Sequence, residues 1–372
     1  MPASNHRPTR ILIDSQAIFE NIQNEIQRAR VGIEIFATVK ANAYGHGMIG
    51  VAKIARKAGI AGFCVATIDE GIELRKAGFK ETILILGITS PEFSNLLIRY
   101  NLSVVVATLE WLHEIKNQFY KGFLSKKIKV HLKIDTGMGR IGFRSIADVK
   151  EALEIIENSS MFAFSGLCSH FATADDKNDI LWIRQNLRFQ EIVNILLNKP
   201  HFLHTANTAS AFWHKDFSGN LIRFGIGMYG LNPSGRTLPE DYPLKPALSL
   251  ESELVQVKKI AAGESISYGQ TWVANEPTWI GTVPIGYADG WLRKMQGFSI
   301  LVAGEYCEIV GRICMDQLMI RLPKKMNFKE KVTLIGKNGE REITMQDVAD
   351  HLGTIHYEVA CLLGERIPRF FI

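Results

Sequence analysis

The chain has 372 residues, 47% hydrophobic and 22% charged, and its 43 basic against 38 acidic side chains leave a net charge of +5. That length suits two domains, and so mild and scattered a charge gives no footing for nucleic acid or a membrane surface. The five cysteines are odd in number, widely spaced and free of any C-x-x-C pair, so neither a disulfide framework nor a metal site is expected.

The N-terminal stretch "MPASNHRPTR" lacks an apolar signal core, and no later run holds eighteen apolar residues, which sets the expectation of a cytoplasmic protein. From about Ile11 to Gly235 short apolar runs alternate with amphipathic ones. The strand-like runs are "IFATVKA", "FCVATI", "ILILGI", "SVVVA", "VHLKID", "FSGLCSHF" and "FLHTAN". Between them lie "GVAKIARKAG", "DEGIELRKAG", "SPEFSNLLIRYN" and "DVKEALEIIEN", the last with Val149, Ala152, Leu153 and Ile156 at helical spacing. The basic run "SKKIKVHLK" from Ser125 to Lys133 has no interleaved aromatics and reads as a solvated approach to a strand. Seven or eight strand–helix units in this length predict a (β/α)8 TIM-type barrel, with an open doubly wound sheet as the alternative.

After "NPSGRTLPEDYPLKP" the pattern changes to strand-like runs joined by glycine turns: "LSLESELVQVKKI", "TWIGTVPIGYADG", "FSILVAGEYCEIVGRICMDQLMIRL" and "EKVTLIGKNG". Helical patterning is confined there to "TMQDVADHLG". The expectation is a barrel over residues 1–240 and a mostly antiparallel β domain over 241–372.

Active sites of such barrels sit at the carboxyl ends of the strands. Several polar residues fall at these ends: Lys40, Lys133, Asp135, His170 and Asn207, with Arg223 following in "LIRFGIGMYG". That last segment, with Gly225, Gly227 and Gly230, reads either as a tight turn or as a loop whose bare amides approach a phosphate. A lysine able to form a Schiff base and a phosphate cradle on one rim point to pyridoxal 5′-phosphate.

Seven segments in order, "VKANAYGHG", "HLKIDTGMGRIGF", "SHFATADD", "RFGIGMYG", "SYGQTW", "GYADG" and "GRICMDQ", resemble the alanine racemases over nearly the whole chain. The resemblance implies a barrel with a C-terminal β domain, pyridoxal 5′-phosphate on Lys40, and Tyr44, Asn207, Thr208, Gly225, Ile226 and Tyr357 around its phosphate. It places His170 against the pyridine ring. Arg140 and the Met315 backbone would meet the substrate carboxylate, and Tyr268, Tyr287 and Asp316 would close the entrance. Thr208 stands where serine is more usual, with the hydroxyl kept.

The implied reaction interconverts L- and D-alanine and supplies D-alanine for peptidoglycan. Two bases on opposite faces of Cα serve it: Lys40 and Tyr268. A tyrosine pKa of about 10 asks for help, which the family draws from His170 and Arg223. Arg223 would also donate to the pyridine nitrogen, and its fixed charge opposes a proton there, weakening the ring as an electron sink. Lys133 reads either as a strand-end lysine facing water or, by the resemblance, as a carbamylated lysine orienting Arg140 seven residues on. The family also implies a head-to-tail homodimer whose sites take Lys40 from one chain and Tyr268 from the other. The rival readings are an amino-acid decarboxylase of the same architecture, a cofactor carrier without catalysis, and a broader-specificity racemase.

Overall fold

The computed structural model describes residues 3–120, 127–239 and 242–372. The boundary expected at residues 240 and 241 and the start of the basic run, Ser125 and Lys126, lie outside the described residues. The chain divides into two compact units.

The larger unit takes in Ile18–Ala43 and Met48–Lys245. With β1 reserved for Arg10–Ile13, its strands are β2 (Glu34–Thr38), β3 (Gly62–Val65), β4 (Thr82–Ile85), β5 (Ser103–Val106), β6 (Ile128–Lys133), β7 (Phe162–Cys168), β8 (Phe202–His204) and β9 (Leu221–Phe224). They form one sheet in the order β8-β7-β6-β5-β4-β3-β2-β9, and every pairing is parallel. The amide of Arg223 reaches the Ala206 carbonyl at 3.1 Å and that of Asn220 reaches Leu203 at 2.8 Å, which draws the two edges together. This is the TIM-type barrel expected. Its strands are buried on both faces, which is why they read as unbroken apolar runs.

Side chains fill the barrel interior, with Phe36, Cys64, Leu84, Val105, Cys168, Phe202 and Leu221 in one cluster. The interior also holds a polar pair, His131 and His204, both at 0% exposure. Room for it comes from Gly166, paired with His131 across β6 and β7, where a Cβ would stand 2.2 Å from the His131 ring. The helix Ile146–Glu157 buries Val149, Ala152, Leu153 and Ile156, the four positions its periodicity singles out, behind a Ser145 N-cap.

The second unit comprises Met1–Ala17, Tyr44–Gly47 and Pro246–Ile372. Its main sheet runs Glu305–Glu308, Ser299–Val302, Lys331–Asn338, Leu248–Glu253, β1, Arg369–Phe371. Only the last pair is parallel. A second antiparallel sheet joins Gln256–Ile260, Thr278–Val283 and Leu318–Leu322. Helical patterning is broader than the sequence reading allowed: besides Met345–Leu352, a helix spans His356–Leu362. It is only seven residues long and lacks a side-chain N-cap bond, so the strongest start signal is missing. Among the described residues no helix is long and apolar enough to cross a membrane, and no His, Cys, Asp and Glu cluster could hold a metal.

Candidate active site

Lys40 stands just beyond β2, half-buried. The residues after it form a left-handed turn: Ala41, Asn42 and Ala43 have φ of 53°, 51° and 55°. Left-handed backbone costs an L-residue about 1–2 kcal/mol each, so the turn needs external holds. It has them. The Ala43 amide donates to Val39 at 2.8 Å, that of Met48 to the Asn42 side chain at 2.7 Å, and that of Ala41 to the Glu70 carboxylate at 2.7 Å.

The strand next to β2 is β9, with Ala37 opposite Phe224. Lys40 and the glycine loop thus leave adjacent strand ends. Tyr229, in the turn Ile226–Tyr229, donates to the Thr38 carbonyl at 3.0 Å and braces the two together. Facing the loop is the six-residue helix Thr208–Trp213, capped by Asn207, whose side chain accepts from the Ser210 amide. The Gly225 amide donates to the Thr208 hydroxyl at 3.0 Å. That hydroxyl therefore keeps its own proton to give away. Two residues on, the Ser210 hydroxyl is buried with no hydrogen-bond partner among the described residues.

Arg223, 6% exposed, is the hub of the rim. One terminal nitrogen donates to His204 Nδ1 at 2.7 Å and to the His204 carbonyl. The other donates to the carbonyls of Ser169 and Thr205 and to His170 Nδ1 at 3.1 Å. Arginine only donates, so Nδ1 of His170 and of His204 must be lone pairs and both rings carry their proton on Nε2. His204 Nε2 then donates to His131 Nδ1 at 2.9 Å, leaving the His131 Nε2–H buried without a partner. Burial first, and the Arg223 charge second, hold all three rings neutral: His170 and His204 are pushed well below the usual histidine range, and His131 to about 3.

Lys133 lies level with Cys168, and Cys168 with His204, across β6, β7 and β8. It is 8% exposed, which removes the reading of a strand-end lysine facing water. Burial pushes its pKa down to about 8, with the Arg223 and Arg140 charges adding to the fall. The loop bearing Arg140 folds back on β6: Phe143 donates to the Lys133 carbonyl, Asp135 to Phe143, and the Asp135 carboxylate accepts from Gly137 and Gly139. A Cβ on Gly142 would lie 2.6 Å from the Asp135 amide, so the close return requires glycine. Arg140 itself is exposed, yet its charge, like those of Lys133 and Lys40, is felt at His170. The rim thus gathers Lys40, Lys133, Arg140, His170, Asn207, Thr208, Arg223, Gly225 and Ile226 in one unit.

The other expected residues belong to the second unit. Tyr44 and Tyr357 lie with ring centroids 6.1 Å apart. The backbone behind Tyr44 presses so closely on the helix His356–Leu362 that a Cβ on Gly45 would meet the Ala360 carbonyl at 2.1 Å. Tyr268, 69% exposed, opens a tight turn in which Ser267 has φ 66° and donates to the Arg312 carbonyl. Tyr287 donates its amide to Cys314, and Ala288 to Met315, joining "GYADG" to "GRICMDQ". Asp316 accepts from Arg366 at 2.7 Å; Arg366 also pairs with Asp289, which is fully buried and held twice by Arg7.

Four residues absent from the sequence-based list therefore bear on the site: Glu70, His131, His204 and Asp289. Glu70 had a visible signal, since Thr67 and Glu70 spell the capping-box spacing. The others look like ordinary strand or turn polars until the register is known.

The chemistry of the barrel rim fits pyridoxal 5′-phosphate. An amine stands at one strand end, and hydroxyl and amide donors with an unpartnered buried Ser210 oxygen stand at the next. A fixed cation, Arg223, stands among them with no carboxylate among its hydrogen-bond partners in the described residues.

Comparison with known proteins agrees. Residues 13–233 match the alanine racemase N-terminal domain and residues 247–371 the alanine racemase C-terminal domain. The alanine racemase of Ligilactobacillus salivarius is 53% identical over 372 residues, covering all of both chains. The crystal structure of alanine racemase from E. faecalis superposes with a TM-score of 0.97 at 51% identity, again over all of both chains. The histidine racemase of Leuconostoc mesenteroides gives 0.93 at 32% identity, over 100% of this chain and 99% of that one. On residues 13–233 and 247–371 alike, the chain belongs to the alanine racemase family.

Proposed function

We propose that this protein interconverts L- and D-alanine with pyridoxal 5′-phosphate, furnishing D-alanine for peptidoglycan, and does so in the cytoplasm. The observation that carries the reading is the pairing of Lys40 with the Thr208–Gly225 loop on neighbouring strand ends, over a floor formed by Arg223. Lys40 would hold the cofactor's aldehyde carbon. Tyr44, Asn207, Thr208, Gly225, Ile226 and Tyr357 would hold its phosphate, with His170 against the ring. When bound, the cofactor withdraws electrons from Cα and so loosens its proton.

The chain's own groups do the rest. Arg140 and the Met315 backbone hold the substrate carboxylate, while Tyr287 and Asp316 narrow the entrance. Lys40 Nζ, released when the substrate amine takes its place, takes the Cα proton from one face and Tyr268 Oη returns one to the other; in the reverse direction they exchange roles. Neutral His170 and His204 leave Arg223 as the fixed positive charge beneath the ring, which discourages a second one on its nitrogen.

Lys133 carries a carbamate in this reading: its neutral amine adds CO2 and releases a proton, giving an anion between Arg140 and Arg223. A pKa near 8 leaves about a tenth of the amine neutral at pH 7, enough to react. Intact-protein mass under native conditions should show the added CO2; a free amine in a well-ordered crystal would overturn it.

The site is completed by a second copy of the chain in a head-to-tail homodimer, which contributes Tyr268. Supporting this, Tyr268 and Met315 are exposed, and the helix Ile180–Asn194 shows solvent an apolar face of Ile180, Ile183 and Leu187. A broader amino-acid racemase is the second reading, favoured by the likeness to a histidine racemase.

Purified protein given L-alanine should lose optical rotation without releasing CO2, and borohydride should fix the cofactor on Lys40. CO2 release would make it a decarboxylase. Fixation on another lysine would remove Lys40 from its role, and equal rates with histidine would favour the second reading.

A further inference from the structure

We propose that Glu70 is a positioning residue for Lys40, holding the left-handed turn that sets where the lysine points. The inference rests on the reading of Lys40 as the reactive lysine.

Glu70 sits at the third position of the helix Ile68–Lys76, and its two carboxylate oxygens do different things. One accepts from the amides of Ala66 at 2.7 Å and Thr67 at 3.2 Å, while Thr67 Oγ1 accepts from the Glu70 amide at 3.3 Å. Those bonds are a capping box and explain one oxygen completely. The other oxygen has no part in the cap. It accepts from the Ala41 amide at 2.7 Å, 29 residues away, at the end of the neighbouring strand.

Ala41 is the residue directly after Lys40 and the first of four consecutive non-glycine residues in left-handed backbone, Ala41 to Tyr44. One residue on, the Asn42 side chain accepts from the Met48 amide. Glu70 is the charged half of this two-point clamp, and it acts on the peptide that carries Lys40. Without it, Ala41 is free to return to the right-handed or extended backbone an alanine prefers, swinging the lysine away from the rim. A displacement of about 1 Å at a reacting group can cost on the order of 100-fold in rate.

The alternative is that Glu70 only caps its helix. Thr67→Ala separates the two, because it breaks the same capping box and leaves the Ala41 bond in place. Glu70→Gln has one acceptor oxygen and cannot serve both the cap and Ala41; Glu70→Asp keeps the charge but shortens the reach. Each variant is read three ways on the full chain: melting temperature, hydrogen exchange of the amides at residues 41–43, and kcat and KM for alanine.

Positioning predicts that both Glu70 variants speed exchange at 41–43 by about tenfold or more. They should also lower kcat by about tenfold or more, with KM within about threefold. Thr67→Ala should lose similar melting temperature with exchange and kcat within about twofold of wild type. If Thr67→Ala matches the Glu70 variants in kcat and exchange, or if Glu70→Gln leaves exchange at 41–43 unchanged, the proposal is wrong. Should borohydride fix the cofactor elsewhere than Lys40, the functional reading fails. The clamp is then judged by exchange alone, which needs no activity.

Discussion

The two clusters assigned to the site are built in opposite ways. Around Arg223 the groups are largely buried and lie on or next to strand ends: a single guanidinium meets three carbonyls and two histidines, and the ring tautomers follow from it. Around Tyr268 the proposed base is 69% exposed on a turn strained at Ser267. The buried cluster carries its own order in a low-dielectric setting, where each bond counts for more. The exposed one can take part in chemistry only when something else removes water from it. Stability and activity should therefore be entangled at Arg223 and separable at Tyr268.

The largest expected effect tests the entangled half. Arg223→Glu sets a carboxylate against the carbonyls of Ser169, His204 and Thr205 and strips His204 of its donor. We expect a fall in melting temperature of about 5–10 °C and a loss of activity of about 100-fold or more. The visible absorbance of the bound cofactor should change as well. A variant that melts and racemises like wild type would show the hub to be ornamental.

Tyr268→Phe tests the other half. Being exposed, it should leave the melting temperature within about 2 °C while racemisation falls by about 100-fold or more. Unfolding it together with inactive Lys40→Ala and refolding the mixture should restore part of the activity in hybrid dimers. Hybrids that form and stay inactive would mean that each chain supplies both bases itself.

An effect on stability alone belongs to a buried carboxyl outside both clusters. Glu25 is 2% exposed and accepts from the Tyr242 hydroxyl at 3.2 Å. Burial raises its pKa to about 7, against the opposing pull of Arg28 and Tyr242. A raised acid contributes stability that is full below about pH 4.5 and lost as pH climbs through 7. Between pH 4.5 and 8 the wild type should lose about 3 kcal/mol relative to Glu25→Gln, which stays neutral. Parallel stability–pH curves for the two proteins would refute the shift.

What was legible in the sequence followed from local rules. The barrel strands show as β-branched runs because both faces are covered, and Lys40 stands out because a lysine ending such a run is uncommon. The turn behind it was not legible: "ANA" contains no glycine, and its left-handed form is held by a Glu70 bond from the neighbouring strand end and a local Asn42 bond to Met48. Nor was the His131–His204 pair, because "VHLKID" and "FLHTAN" do not say which face a histidine takes, and Gly166 makes the room. The left-handed turn is where local propensity and final structure disagree most, and it lies at the proposed catalytic lysine, in keeping with where such conflicts concentrate.

The sheet that holds β1 has a consequence for how the chain is made. β1 pairs with Leu248–Glu253 on one side and with Arg369–Phe371 on the other, so both its neighbours are made after all the barrel strands. At about 5–20 residues per second it waits on the order of tens of seconds with both edges bare. The all-parallel barrel needs no residue beyond Phe224 for its strands and can close meanwhile. A nascent or prematurely ended chain thus carries a finished barrel and, separately, an open β edge, the kind of surface that chaperones and proteases recognise.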